Sequence, residues 1–175
     1  LDEGPVGEIL EALAAPEIAE IATELDSDDA ADVVGLLDDE KKVEVLAELE
    51  EEDRRTVEAL LKYTDESAGG IMASELVFVN SDALVDDAIG FIRASADELE
   101  DVHNVYVVDR DRRLVGVLAL RELMLAKPGT RVIDVMEPDV VTVSTEMDQE
   151  NVARLFRKYD LVAVPVVDPV GRLVG

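Results

Sequence analysis

The stretch VYVVDRDRRLVG, Val105 to Gly116, returns 59 positions later as VPVVDPVGRLVG, Val164 to Gly175, with eight of twelve residues identical. Each copy starts as an apolar run, breaks on an Asp-containing turn and resumes at a leucine. That pattern reads as two strands joined by a tight turn. The repetition extends upstream. IMASELVFVNSDALVDDAIGFIR (Ile71–Arg93) aligns with VMEPDVVTVSTEMDQENVARLFR (Val135–Arg157) at a shift of 64, pairing Met72 with Met136, Val79 with Val143 and Arg93 with Arg157. The difference between the two shifts falls between Ala94 and Asn104, which predicts a longer helix or loop there. Each copy predicts a short strand (Leu76–Val79; Val140–Val143) and an amphipathic helix (Asp82–Ala94; Met147–Tyr159). A buried strand (Val105–Val108; Val162–Val167), the Asp turn and a strand from Leu114 or Leu173 follow. In the first copy a helix from Arg121 to Ala126 completes the unit.

The N-terminal part carries a different repeat. Leu13, Leu25, Leu37, Leu49 and Leu61 recur every 12 residues, and LDSDD, LDDEK and LEEED follow three of them, with LAAPE as an earlier copy. Each acidic stretch predicts the start of a short helix. Asp or Ser can cap the free backbone amides, and carboxylates in the first turn suit the positive end of the helix dipole. Ala30, Val33, Val34 and Leu37 fall at helical spacing on one face. Helices this short need partners, and stacked copies can bury a continuous core. Residues 1–62 therefore predict a right-angle stack of short helices, entered partway through.

Between the two regimes lies YTDESAGGIM, Tyr63 to Met72. Acidic helical sequence ends there and β-branched sequence begins at LVFV, Leu76–Val79. Gly69-Gly70 predicts a helix end with φ above zero, and hence a domain junction. The expected organisation is α+β: an all-α domain over 1–66, one β-α-β-β-α repeat over 67–130 and a second, unfinished repeat over 131–175. A first residue other than methionine, and a second repeat lacking the counterpart of VLALRELMLA, predict a piece of a longer chain.

Charge and composition narrow the function. Against 16 Lys and Arg stand 42 Asp and Glu, a net charge of −26. Such a surface repels nucleic-acid phosphates and attracts cations, of which hard divalent ones prefer oxygen ligands. An acidic, solubilising coat is the alternative reading of the same charge. With no cysteine, disulfides, thiolate zinc sites and cysteine nucleophiles are excluded. The longest apolar run, Leu161–Val167, falls far short of the roughly 18 residues of a membrane span. His103 is the single histidine and lies in a polar stretch, more in keeping with a surface or packing residue than a base. No phosphate-cradling glycine loop is present. The chain is therefore not expected to be an enzyme.

The tandem pattern, and VVDPVGRLVG in particular, resembles a cystathionine-β-synthase (CBS) domain pair. DESAGGIM, with acidic helical repeats before it and a CBS pair after it, resembles the MgtE family of magnesium transporters across essentially the whole sequence. The resemblance implies a cytosolic, Mg2+-sensing regulatory region on the cytoplasmic face of the membrane, soluble in itself. It also implies a homodimer through CBS pairs and attachment to a transmembrane domain outside this sequence. No nucleic-acid partner is implied.

The family's Mg2+-binding acids map onto five positions. Asp28 and Asp32 in SDDAAD lie one helical turn apart on one face; a helix-start residue and a solvated one are the alternative. Asp148, Glu150 and Asp160 match the acids of the second repeat, where Asp148 could equally be an N-cap. An EF-hand reading of DSDDAAD fails, because loop positions five and six would be Ala30 and Ala31. ATP is a weaker expectation. CBS pairs that bind it usually carry Ser/Thr-x-x-Asp, where this sequence has ALRE, Ala119–Glu122. Arg121 and Glu122 remain as candidate contacts, Arg121 as a plain surface residue being the alternative, and Leu161 stands where some relatives stack an aromatic. The alternative function is an adenine-nucleotide-sensing CBS module regulating an attached enzyme or transporter.

Overall fold

A computed structural model describes residues 3–94 and 104–175. His103 and most of the predicted longer connection lie outside the described residues. The chain divides into two compact units, Leu1–Ser74 and Glu75–Gly175.

The first unit is all helix: α1 (Glu3–Ala12), α2 (Ala15–Thr23), α3 (Ser27–Gly35), α4 (Asp39–Glu48) and α5 (Glu51–Leu60). From α2 onward the helices start every 12 residues, in step with the leucine repeat. Ala14, Asp26, Asp38 and Glu50 precede them in extended conformation. Only part of the capping expectation holds. The Asp38 carboxylate accepts the Lys41 amide at 2.8 Å, whereas Asp26 and Glu50 make no side-chain cap. There the acidic first turns still suit the helix dipole, as Asp28 and Asp29 do in α3. Helix α2 packs on α3 and α4, and α3 packs on α5. Ile18, Val34 and Val45 are wholly buried, among Ala19, Ala22, Ala30 and Ala31. The small alanines let the helix backbones approach closely. Burial of each large aliphatic contributes about 2 kcal/mol.

The glycine pair departs from expectation. Helix α5 ends at Leu60, well before Gly69, and among the described glycines only Gly129 and Gly171 have positive φ. Gly70 is needed for space, not for φ. A Cβ there would lie 2.3 Å from the Thr64 carbonyl oxygen. The loop is tied by Ser67, whose hydroxyl donates to the Thr64 carbonyl (2.7 Å) and accepts the Gly70 amide (3.2 Å). Further on, the Ser74 amide and hydroxyl both donate to the buried Ser27 hydroxyl at the start of α3, each at 2.9 Å. The compact helical unit thus includes the loop up to Ser74.

The second unit holds β1 (Phe78–Asn80), α6 (Val85–Ala94), β2 (Asn104–Val108), β3 (Leu114–Ala119) and α7 (Leu120–Leu125). A 3-10 turn (Val132–Asp134), β4 (Val143–Ser144), α8 (Gln149–Tyr159) and β5 (Val166–Val167) follow. Strand β2 pairs parallel with β1 and antiparallel with β3. The second copy repeats the plan: β4 pairs parallel with β5, and Val167 bridges Leu173 antiparallel. The elements are shorter than their sequence patterns suggest. Proline at 165 has no amide to donate, but its carbonyl accepts the Val143 amide at 3.1 Å, and within the predicted strand over Val162–Val167 the paired residues are Val166 and Val167. Helices α6 and α8 begin later than expected, and at α8 Asp148 is the cap rather than a helical residue.

Strand β2 is buried from Val105 to Val108, where both its faces are covered. Val105 and Val107 join Val85, Ala88, Leu118 and Leu123 in one cluster, while Tyr106 and Val108 meet Leu173 of the other repeat in a second. The repeats also exchange backbone bonds related by the same 59-residue shift. The Leu114 amide donates to the Gly171 carbonyl at 3.1 Å, and the Leu173 amide to the Arg112 carbonyl at 3.0 Å. Arg112 adopts φ 62° where its counterpart Gly171 has φ 84°.

Candidate functional site

The candidate acids fall into three separate places. Asp28 and Asp32 belong to α3 of the helical unit, one turn apart, with Cβ atoms about 6 Å apart for such a pair. Asp28 is half-buried at the helix N-terminus, and Asp32 is exposed on the next turn. Burial pushes the Asp28 carboxyl above its ordinary value, and the neighbouring Asp29 and Asp26 charges add to that, while backbone amides of Asp29 and Asp28 oppose it. Asp26 and Asp29 were not singled out from the sequence as functional, though the DSDD run itself was the signal for them.

The sign of that shift has a consequence for stability. A carboxyl that holds its proton more tightly in the folded state favours folding when protonated. Stability therefore falls as pH rises from the unfolded value near 3.8 through the raised folded value, and the cost stays in full at neutral pH. Asp28→Asn is expected to raise the neutral-pH melting temperature of the cation-free protein, with the gain vanishing once pH drops below both values. Paired melting curves at neutral and strongly acid pH read this directly. Equal gains at both would rule out an electrostatic origin.

Asp148 and Glu150 sit together at the start of α8. The Asp148 carboxylate accepts the Glu150 amide at 2.8 Å, the N-cap that the sequence held as its alternative role. Glu150 is exposed and faces Arg154 across 3.5 Å. Asp160 closes the same helix in left-handed conformation, φ 53° and ψ 45°. Asp is among the few residues that tolerate that region. Twelve residues of helix put Asp160 about 18 Å from Asp148, so one ion cannot reach both.

Among the described residues no three His, Cys, Asp or Glu side chains converge on one point. Among the described residues each acid pair can therefore supply one or two carboxylates. That donor set fits Mg2+, which keeps several waters and takes only one or two protein carboxylates. It does not fit a fully protein-enclosed Ca2+ cage.

The nucleotide candidates lie elsewhere again. Arg121 and Glu122 open the short helix α7, and the Arg121 guanidinium donates to the Glu122 carboxylate at 2.6 Å. Arg121 is largely solvent-exposed and Glu122 about half, so the ion pair contributes little and a phosphate could displace it.

Comparison with known proteins matches this two-part architecture. The MgtE intracellular N domain family matches residues 1–66, and the CBS domain family matches 68–129 and 132–175. The magnesium transporter MgtE of Thermus thermophilus is 49% identical over 119 residues, which are 68% of this chain and 26% of that protein. The chain thus spans about a quarter of the length of the curated relatives it matches. Among solved structures, the cytosolic domain of the Mg2+ channel MgtE in complex with ATP superposes with a TM-score of 0.90 at 41% identity, covering 100% of this chain and 72% of that one. The soluble part of a magnesium transporter superposes at 0.89 and 34% identity, covering 99% and 68%. These relatives are a transporter and soluble parts of transporters, not enzymes.

Proposed function

The chain belongs to the MgtE family of magnesium transporters, and from that premise we propose that it is the Mg2+-sensing regulatory region of a magnesium channel. In this reading the domains are a helical acidic domain and two CBS repeats, and the region works at the cytoplasmic face of the membrane, next to its own transmembrane domain. No described helix is long and apolar enough to cross a membrane. The region pairs with a second copy through its CBS repeats.

The single observation that carries the reading is the acid pair on α3. Asp28 is held half-buried beside other carboxylates, where a neutralising cation is favoured, and Asp32 lies on the same face. Two carboxylates brought to ~4 Å repel by about 1 to 4 kcal/mol, depending on the local dielectric. A Mg2+ ion between acidic surfaces reverses that sign. With abundant Mg2+ the compact, closed state is favoured; with little, uncompensated carboxylates push acidic surfaces apart. Moving from 1:99 to 99:1 requires about 5.5 kcal/mol of differential binding, which several modest sites supply together. Asp148, Glu150 and Asp160, about a helix length apart, provide at least two such sites on α8.

Limited proteolysis between the two compact units, at Glu75, tests this. Millimolar Mg2+ is expected to protect the bond, whereas sodium chloride at matched ionic strength does not. In the double variant Asp28→Ala, Asp32→Ala the midpoint should move to at least about threefold higher Mg2+. Equal protection by salt, or an unmoved midpoint, would sink the assignment of these acids.

ATP is the second ligand. A 41%-identical relative is solved with ATP, and Arg121 is displaceable from Glu122. Arg121→Ala is expected to weaken ATP binding in an isothermal titration without affecting the Mg2+ midpoint.

A further inference from the structure

In a chain of net charge −26, two arginines at the point where the two repeats meet have, among the described residues, no carboxylate in an ion pair with them. Arg113 and Arg172 bridge each other across an antiparallel pair. The flanking bonds, Leu114 amide to Gly171 carbonyl and Leu173 amide to Arg112 carbonyl, make this a non-hydrogen-bonded pair. In such a pair the Cα atoms lie about 4.5 Å apart and both side chains rise from the same face. Both residues are exposed, and among the described residues neither forms an ion pair. Like charges placed directly opposite are unfavourable in a bare sheet.

Among the described residues the acids of the same turns form no ion pair with either guanidinium. The Asp109 carboxylate accepts the Asp111 and Arg113 amides at 2.8 and 2.9 Å, and the Asp168 carboxylate accepts the Val170 and Arg172 amides at 3.0 and 2.8 Å. These bonds turn both carboxylates onto the backbone and fix the two arginine positions. Neighbouring Arg112 adds positive charge, its guanidinium 4.6 Å over the Phe78 ring. The two turns thus hold the guanidinia of Arg112, Arg113 and Arg172 in a rigid frame, beside Asp109 and Asp168 carboxylates that are bonded to backbone amides. At physiological salt the carboxylates beyond about 8 Å are largely screened from these guanidinia.

We propose that Arg113 and Arg172 form a binding site for a phosphate group. One carboxylate would satisfy a single guanidinium; a dianionic phosphate with three terminal oxygens can accept from both at once. Its charge also cancels the repulsion that the bridge imposes. The phosphate can be free or carried on a lipid headgroup, and the chemistry at the two guanidinia is the same. The site is separate from Asp28, Asp32 and Arg121 and does not rest on the magnesium reading.

The test uses the whole chain in EDTA, so that no Mg2+ bridges the anion. Inorganic phosphate is titrated at constant ionic strength while the amide resonances of Arg113, Leu114, Arg172 and Leu173 are followed. A second arm measures co-sedimentation with phosphatidic-acid vesicles against phosphatidylcholine vesicles. Saturable shifts at these amides, weakened about tenfold or more in Arg113→Gln, Arg172→Gln, would establish a site for free phosphate. Vesicle binding lost in the same variant would assign it to lipid. A double Lys variant, which keeps the charge and loses the planar fork, should bind at intermediate strength. No saturable response in either arm, or a response unchanged in the Gln variant, overturns the proposal. An unchanged far-ultraviolet spectrum of the Gln variant excludes misfolding as the cause of any loss.

Discussion

Gly70→Ala is expected to destabilise the helical unit by about 3 kcal/mol, the upper end of ordinary overpacking. The new methyl would sit 2.3 Å from the Thr64 carbonyl oxygen and 2.9 Å from the Thr64 carbonyl carbon and Asp65 Cα. All three are backbone atoms, so no side chain can rotate away. Relief requires the loop to open, which breaks the Ser67 bonds that hold Thr64 and Gly70 together. For a unit of this size the melting temperature should fall by roughly 15 °C. Circular dichroism at the helical band reads it, and Gly35→Ala is the control. Its Cβ would meet nothing closer than Leu61 Cδ2 at 3.8 Å, so the control should hold or gain up to about 1 kcal/mol. A Gly70→Ala melting curve overlying the parent would show that the loop does not close as described.

Leu173→Ala is expected to cost about 3 kcal/mol, from lost apolar burial and the cavity left behind. Leu173 is only 2% exposed, and its buried neighbours Tyr106 and Val108 belong to the other repeat. The consequence is non-local. Removing a side chain of the second repeat should accelerate amide exchange at Tyr106 and Val108 on β2 of the first. Two repeats folding independently would confine the loss of protection to the second repeat. Faster exchange on both sides would show that the pair unfolds as one cooperative unit, as the reciprocal bonds between Leu114 and Gly171 and between Leu173 and Arg112 imply.

Much of this architecture can be read from periodicity. Helix starts every 12 residues follow from a leucine and an acidic turn repeated at that interval, and the tandem β-α-β-β plan follows from two copies of one pattern. Such signals are local, or repeat a local signal, and sequence carries them well. Element ends were harder to place. The predicted strand over Val162–Val167 pairs only at its end, and α8 begins at Gln149 after the Asp148 cap that was the alternative reading of that residue. The candidate acids were visible as residues, but their environments were not. The half-burial that raises the Asp28 carboxyl depends on what packs around α3, and no residue count at Asp28 reports that.

The sequence by itself determined the class of fold, the two repeats and the family, because each rests on residue order and spacing. Only the tertiary structure decided why Gly70 must be glycine. The expected reason was a local one, positive φ, and the actual one is a backbone carbonyl six residues away folded back to within contact. It also decided that β2 is buried by helices on one side and by the second repeat on the other. The pairing of Arg113 with Arg172 has the same origin. These residues are distant along the chain, and contacts between distant residues are fixed by which surfaces can bury one another.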